Sequence, residues 1–295
     1  MAGTAVLGRL TWLVTEVTGA VQETPRVRTL LLDAEGWPGH RPGQHLDVRL
    51  TAEDGYQAER SYSIASSPGE PLAITVERLE NGEVSPYLVE EAREGDGFEV
   101  RGPIGGYFVW EDDGRPVFLV GGGSGVVPLM AMIRSTSGTT PIRLLYSSRT
   151  FEDIIYRQEL QDRAGDRLEV FHTLTRGHPP GWTGYTRRID NEMLTEVAWP
   201  AAEQPHVFIC GSTRFVDEVG GDLAVLEPLH CDRQRLAGRR RDRIAALGLV
   251  AVLGRQPDVE MLAGPVAGPA LCVERQRSHP RRLCHRTRHL RDEPG

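Results

Sequence analysis

The chain has only four cysteines, Cys210, Cys231, Cys272 and Cys284, and no two stand in a Cys-x-x-Cys spacing. That excludes an iron–sulfur or structural zinc module of the usual ligand spacing, and it offers no disulfide framework. No apolar run is long enough to cross a bilayer, and the mean hydropathy is −0.33. Met1 to Leu10 lacks a basic stretch followed by an apolar one, so no secretory signal is read and a cytoplasmic location is expected. Lysine is absent altogether, so all 34 basic residues are arginine. Their distribution is uneven: from Asp222 onward 14 Arg face 9 acidic residues, whereas the first 221 residues carry 20 Arg against 32 acids. An acidic body argues against a nucleic-acid partner. Aromatic residues also run out, since none of the 19 lies beyond Phe215.

What is present describes a globular protein with room for two domains, 295 residues long with 39% apolar and 25% charged residues. Six segments alternate in polarity or are rich in β-branched and aromatic residues: Arg9 to Val17, Arg26 to Asp33, Gly43 to Thr51, Arg60 to Ser66, Leu72 to Leu79 and Gly97 to Gly102. Gly, Pro and Asp turns separate them, which predicts a six-stranded antiparallel barrel over residues 6–110. One helix is expected inside it, Tyr87 to Arg93, with Ser85 as N-cap and Pro86 at its first position. Free N–H groups at that helix start suit a phosphate, although a plain capped helix has the same sequence.

Past Glu111 to Arg115 the pattern changes. Strands at Pro116 to Val120, Ile142 to Ser147, Leu168 to Leu174 and His206 to Cys210 alternate with helices. The helices are expected at Val126 to Arg134, Glu152 to Ala164, Asp190 to Ala198 and from Gly211 onward. That alternation predicts a doubly wound parallel sheet over residues 115–225. Residues 226–295 form an Arg-rich tail, read as disordered, as a shifted reading frame or as an unrelated extension. Leu247 to Leu253 could supply one more strand. His230 with Cys231, and Cys284 with His285 and His289, have no core pattern around them and are not read as a metal site. Arg239 to Arg241 is read as a solvated run.

Three stretches carry chemistry. In Arg60-Ser61-Tyr62-Ser63 the guanidinium fork suits a pyrophosphate, the phenol ring a flat heterocycle and a hydroxyl a ring nitrogen. Alternation puts Ser61 and Ser63 on one face and Arg60, Tyr62 and Ile64 on the other. Gly121 to Pro128, GGGSGVVP, joins a strand to a helix without being the G-x-G-x-x-G fingerprint. It suits either close approach of a diphosphate or tight packing alone. Cys210-Gly211 ends a strand at the edge where doubly wound sheets place ligands, yet a cysteine there is also a common buried hydrophobe.

RSYSIAS, GEVSPYL, GPIGGYF, GGGSGVVPLM, YSSRT and CGS occur in this order. The series resembles the ferredoxin–NADP⁺ reductase-like superfamily, and within it the two-domain oxygenase-type reductases, over about residues 9–219. The resemblance implies an FAD-binding barrel followed by an NAD(P)-binding domain whose last strand the tail leaves in question. It implies that Arg60 pairs with the FAD pyrophosphate, Tyr62 packs on the isoalloxazine, and Ser63 bonds near flavin N5. Gly82, Val84 and Ser85 complete the phosphate clamp. Gly122, Gly123, Ser124 and Gly125 receive NADH or NADPH, Ser148 and Arg149 lie by the adenine ribose, and Cys210 and Gly211 stand beside the nicotinamide. Ser63 and Cys210 are thereby the residues nearest the hydride transfer, which needs no general base, triad or metal. The implied activity is a flavoprotein oxidoreductase passing electrons to a redox partner such as a ferredoxin or oxygenase, or to a small acceptor. A flavin reductase releasing reduced flavin and a non-catalytic flavin-binding subunit are the alternatives. The resemblance also implies a final sheet strand with an acidic and an aromatic residue near the flavin, and no aromatic residue lies beyond Phe215 here.

Overall fold

A computed structural model describes residues 10–136 and 138–223, and the backbone course of 250–254 and 272–274. The first half is a six-stranded antiparallel sheet of β1 (Leu13–Thr24), β2 (Val27–Ala34), β3 (His45–Thr51), β4 (Gln57–Ser63), β5 (Leu72–Glu77) and β6 (Gly97–Ile104), in the order β4-β3-β6-β1-β2-β5. A bridge between Ile64 and Ile74 joins the two edge strands and closes the barrel. Inward residues of alternating strands fill it, among them Val17, Leu30, Leu46, Val48, Ile74 and Val100. The chain stays in strand well past Val17 because β1 pairs with β2 as far as Thr24 opposite Val27, absorbing Thr18 at a register shift.

The second half is a parallel sheet with helices. Its strands are β7 (Val117–Gly122), β8 (Ile142–Ser148), β9 (Leu168–Leu174) and β10 (His206–Gly211), with α1 (Val126–Ser135), α2 (Arg157–Arg163), α3 (Asn191–Val197) and α4 (Thr213–Leu223). Beyond β10 the sheet continues through β11 (Val250–Gly254) and β12 (Cys272–Glu274), giving β12-β11-β10-β7-β8-β9. A strand is therefore present where Leu247 to Leu253 offers one. The other readings of the tail, as disordered or frame-shifted, lie outside the described residues, as do the Cys/His groups and Arg239 to Arg241. The order reverses between β7 and β10, so the loops leaving those two strands flank a crevice at the carboxyl edge.

Two helix expectations are corrected. The segment Glu152 to Ala164 is helical only over α2. Ile154, Ile155 and Tyr156 are all buried, but they precede the helix rather than belong to it. Tyr156 takes φ +57° and the Asp153 carboxylate accepts from the Thr150 N–H at 3.2 Å, so this stretch is a turn. Tyr87 to Arg93 is instead a single π-helical turn, Tyr87–Glu91, without a side-chain cap. The Ser85 hydroxyl is engaged elsewhere, accepting from the Leu79 N–H at 3.1 Å.

Helix α1 is buried at every position from Val126 to Ile133, because it lies between the sheet and the barrel. Its last turn reaches across: Arg134 donates to the Ala65 carbonyl at 2.6 Å and pairs with Glu159 at 2.5 Å. The Thr75 and Tyr156 hydroxyls bond to each other at the same seam. Barrel and sheet are thus held by a shared apolar cluster and by buried polar links, which fixes the walls of the crevice between them. Among the described residues no helix is long and apolar enough to cross a membrane.

Candidate FAD and pyridine-nucleotide site

A cavity of about 400 Å³ opens where barrel and sheet meet. All fourteen residues singled out in the sequence line it: Arg60, Tyr62, Ser63, Gly82, Val84, Ser85, Gly122, Gly123, Ser124, Gly125, Ser148, Arg149, Cys210 and Gly211. They come from five separate stretches of chain, and folding alone brings them together.

On the barrel wall, β4 carries the first group. Arg60 donates through one guanidinium nitrogen to the Glu59 carbonyl at 2.6 Å and through the other to the Glu83 carboxylate at 3.0 Å. Tyr62 packs its ring against the barrel core, and burial pushes its hydroxyl well above the ordinary tyrosine range despite the opposing Arg60 charge. Ser61 also lines the cavity, but its hydroxyl donates to Asp47 at 2.6 Å. Ser63 faces His45 across the β3–β4 ladder. The His45 ring is buried in the same wall; burial lowers its pKa, offset in part by the Asp47 carboxylate.

The turn before the π-helical segment supplies the second group. The Gly82 N–H donates to the Leu79 carbonyl at 3.1 Å, and a Cβ on Gly82 would stand 2.7 Å from the Ser85 Oγ. Ser85 is buried and its hydroxyl holds the turn shut rather than capping a helix. The clamp is a tightly bonded turn, and a one-turn segment has little dipole to offer an anion.

The sheet side is made of backbone. After β7 the chain makes a 3₁₀ turn over Gly123–Gly125 and enters α1, whose first turn has no acidic residue and no side-chain cap. A Cβ on Gly125 would lie 2.2 Å from the Cys210 carbonyl oxygen, so the loop and the end of β10 are in backbone contact. Gly123 takes φ +56°, and a Cβ there would have nothing within 4 Å, so its face is open. Phe215, from α4, closes the floor: Cβ atoms on Gly122 and Gly211 would meet its ring at 2.9 Å and 2.6 Å. Ser124 donates to Glu77 of the barrel at 2.8 Å, bridging the two walls. Ser148 ends β8 and Arg149 follows it, and their carbonyls accept from the Thr175 and Arg176 N–H groups at 3.0 Å and 2.8 Å. Cys210 is buried at the end of β10 and takes part in no disulfide.

Sequence reading does not single out His45, Glu77, Glu83 or Phe215. Glu83 lies within the GEVSPYL motif, so an acid between two proposed phosphate contacts is a visible signal. Phe215 stands out in the sequence only as the last aromatic, and nothing local places its ring under Gly122 and Gly211.

The donor set fits a flavin dinucleotide and a pyridine dinucleotide. A guanidinium and a ring stand on one wall, and a glycine loop with open backbone opens a helix on the other. Barrel, doubly wound sheet and shared cleft define the class as a two-domain flavin- and nucleotide-binding oxidoreductase. Family models agree: the one described as oxidoreductase FAD-binding domain matches residues 14–109, and oxidoreductase NAD-binding domain matches residues 119–220. The chain is 36% identical over 187 residues to ferredoxin–NADP reductase B of Sorangium cellulosum, covering 60% of this chain and 76% of that protein. It is 33% identical over 210 residues to the glycine betaine monooxygenase reductase subunit of Pseudomonas aeruginosa, covering 68% and 57% respectively. Among solved structures, the ferredoxin reductase in carbazole 1,9a-dioxygenase is 26% identical with TM-score 0.61, covering 75% of this chain and 67% of that one. The Neisseria gonorrhoeae ferredoxin NADP⁺ reductase, solved with FAD and NADP bound, shares the fold at TM-score 0.66 and 16% identity, over 82% and 98%. The chain belongs to the ferredoxin–NADP⁺ reductase-like family of FAD- and NAD-binding oxidoreductases. It spans a little over half the length of the glycine betaine monooxygenase reductase subunits it matches.

Proposed function

We infer that the chain accepts a hydride from NADH or NADPH onto FAD and passes electrons to a separate redox partner, a ferredoxin or an oxygenase component, or to a small acceptor. The observation that carries this reading is the convergence of the barrel residues and the glycine loop on one cavity. Bound FAD supplies the redox chemistry. The protein's part is to bind, align and exclude water. Arg60 is assigned to the diphosphate, where its fork offers paired donors to phosphate oxygens. Tyr62, fixed by the core behind it, offers a flat face. Ser63 is assigned a hydrogen bond to the ring system, with buried His45 behind it on β3. On the opposite wall Gly122 to Gly125 admit the nucleotide diphosphate, while Ser148 and Arg149 are assigned to the adenine ribose. Cys210 and Gly211, locked against Gly125, hold the nicotinamide end in place.

The named functions of the relatives support a separate electron acceptor, since the Pseudomonas protein is the reductase subunit of a monooxygenase. A cytoplasmic setting, where NADH and NADPH are made, belongs to the same proposal. Purified full-length protein tests it under anaerobic conditions. A yellow protein whose flavin absorbance bleaches on adding NADH or NADPH is expected. Colourless protein that reduces added flavin would move the assignment to a flavin reductase, and yellow protein that neither nucleotide bleaches would leave only flavin binding.

A further inference from the structure

The charged side chains lining the cavity are Arg26, Arg60 and Arg149 against Glu77, Glu83 and Asp153. The two signs balance, so the cleft attracts an anion through individually placed donors rather than through net charge. Two of the acids are engaged at the positions where phosphates are assigned. Glu77 accepts from Ser124 of the glycine loop, and Glu83 stands on Arg60.

Glu83 is the more consequential. One of its oxygens takes the Arg60 guanidinium at 3.0 Å and the other takes the Tyr56 hydroxyl at 2.8 Å. The carboxylate is thus anchored from two points of the β4 region and occupies the face of Arg60 that a phosphate oxygen would use. Arg60's other terminal nitrogen is committed to the Glu59 carbonyl at 2.6 Å. A diphosphate approaching Arg60 has to displace Glu83 or share the guanidinium with it at close range. The side chains of Arg60 and Glu83 are 51% and 50% exposed, so water screens their attraction and the pair is weak enough to be exchanged.

We propose that Glu83 is an internal competitor for the flavin diphosphate, holding the affinity of this chain for FAD several-fold below what Arg60 alone would give. The proposal rests on the assignment of Arg60 to the FAD diphosphate. Removing the charge while keeping the shape, in Glu83→Gln, leaves Arg60 free to turn its fork to the ligand and removes repulsion between carboxylate and phosphate.

The test is a titration of full-length protein, stripped of flavin, with FAD, read by quenching of flavin fluorescence. Wild type, Glu83→Gln, Glu83→Ala, Arg60→Ala and the Arg60→Ala/Glu83→Gln double variant are compared. Glu83→Gln is expected to tighten FAD binding about fivefold at low ionic strength. The gain should shrink in 0.5 M salt, where the Debye length is only about 4 Å. Glu83→Ala should share its sign, and the gain should be smaller once Arg60 is absent. Arg60→Ala binding FAD as wild type does would remove the flavin assignment itself. Arg60→Ala weakening FAD, with Glu83→Gln neutral or weakening, would overturn the competition alone. An equal gain with and without Arg60 would also overturn it, by reducing Glu83 to a general charge effect. Near-UV circular dichroism of each variant confirms that the comparison is between folded proteins.

Discussion

The two walls of the cavity are built from different materials. On the barrel wall the contacts are long side chains, Arg60, Glu83 and Tyr56, half exposed and tied by ion pairs and hydroxyl bonds. On the sheet wall they are backbone: Gly125 rests against the Cys210 carbonyl, and Gly122 and Gly211 leave room only for the Phe215 ring. Side chains on a surface can swing, be screened and be replaced one at a time. Backbone packed at van der Waals distance can only be right or wrong. The barrel wall is thus where affinity is tuned, and the sheet wall is where geometry is enforced.

The largest effect should come from breaking the sheet wall. Gly125 has φ −62°, an ordinary conformation for any residue, so Gly125→Ala tests space alone. Its Cβ would lie 2.2 Å from a backbone oxygen that cannot swing away. Moving the loop or β10 should cost about 3 kcal/mol, at the upper end of overpacking, and lower Tm by roughly 6–12 °C. Nicotinamide-nucleotide binding should fall with it. Gly123→Ala is the contrast, since nothing lies within 4 Å but φ is +56°, so the cost is conformational, about 1 kcal/mol. Differential scanning calorimetry of the two variants decides it. Equal losses would mean that the loop yields and that the wall is not rigid.

How much of this is legible in the sequence follows the same division. The barrel strands other than β1 are legible to within a few residues because inward and outward positions alternate, and the glycine loop because it joins a strand to a buried apolar helix; β1 runs seven residues past its expected end because its pairing with β2 carries it on to Thr24. Arg60, Tyr62 and Ser63 are legible as chemistry because their side chains carry it. What escapes depends on distant partners. Ser85 looks like an N-cap next to Pro86, but the Leu79 N–H, six residues back, takes its hydroxyl. Ile154 to Tyr156 looks helical, but Tyr156 takes φ +57° and the Asp153 carboxylate closes a turn onto Thr150, so the helix starts only at Arg157. Glu77 reaches Ser124 only because the two domains close on each other. Local pattern identifies an element, whereas the partner of a polar group across 47 residues is set by the tertiary fold.

An intermediate effect is expected where a charged side chain stands on the backbone-built wall. Arg149 is exposed and lines the cavity just past β8. If it meets a 2′-phosphate, Arg149→Ala removes charge-assisted bonds worth about 1.5–3 kcal/mol. KM for NADPH should then rise about tenfold or more, with KM for NADH changed less than about twofold. Steady-state kinetics with both nucleotides checks it. Equal changes would take coenzyme choice away from Arg149.

The smallest effect lies behind the sheet wall, at His172 on β9. Its ring packs between Tyr146 at 5.7 Å and Trp182 at 6.3 Å, and its Nδ1 has no hydrogen-bond partner among the described residues. Burial pushes its pKa down to about 4. The sign follows from proton binding. An unfolded histidine titrates near 6.5 and binds a proton that the folded ring refuses, so stability falls as pH drops from about 6.5 toward 4. Above that window the ring is neutral in both states and contributes no pH dependence. His172→Phe keeps an aromatic in the stack and removes the titration. It should therefore leave Tm at pH 8 within a few degrees of wild type and flatten the loss of Tm between about pH 6.5 and 4.5, as followed by circular dichroism. An unchanged acid slope in the variant would assign that slope to carboxylates elsewhere on the barrel, such as Glu99, whose pKa is lowered by its hydrogen bonds from Arg49. Stability that such a carboxylate gains from its arginine is present above the ordinary carboxylate range and lost below it, so the two sources separate by the pH at which the curve bends.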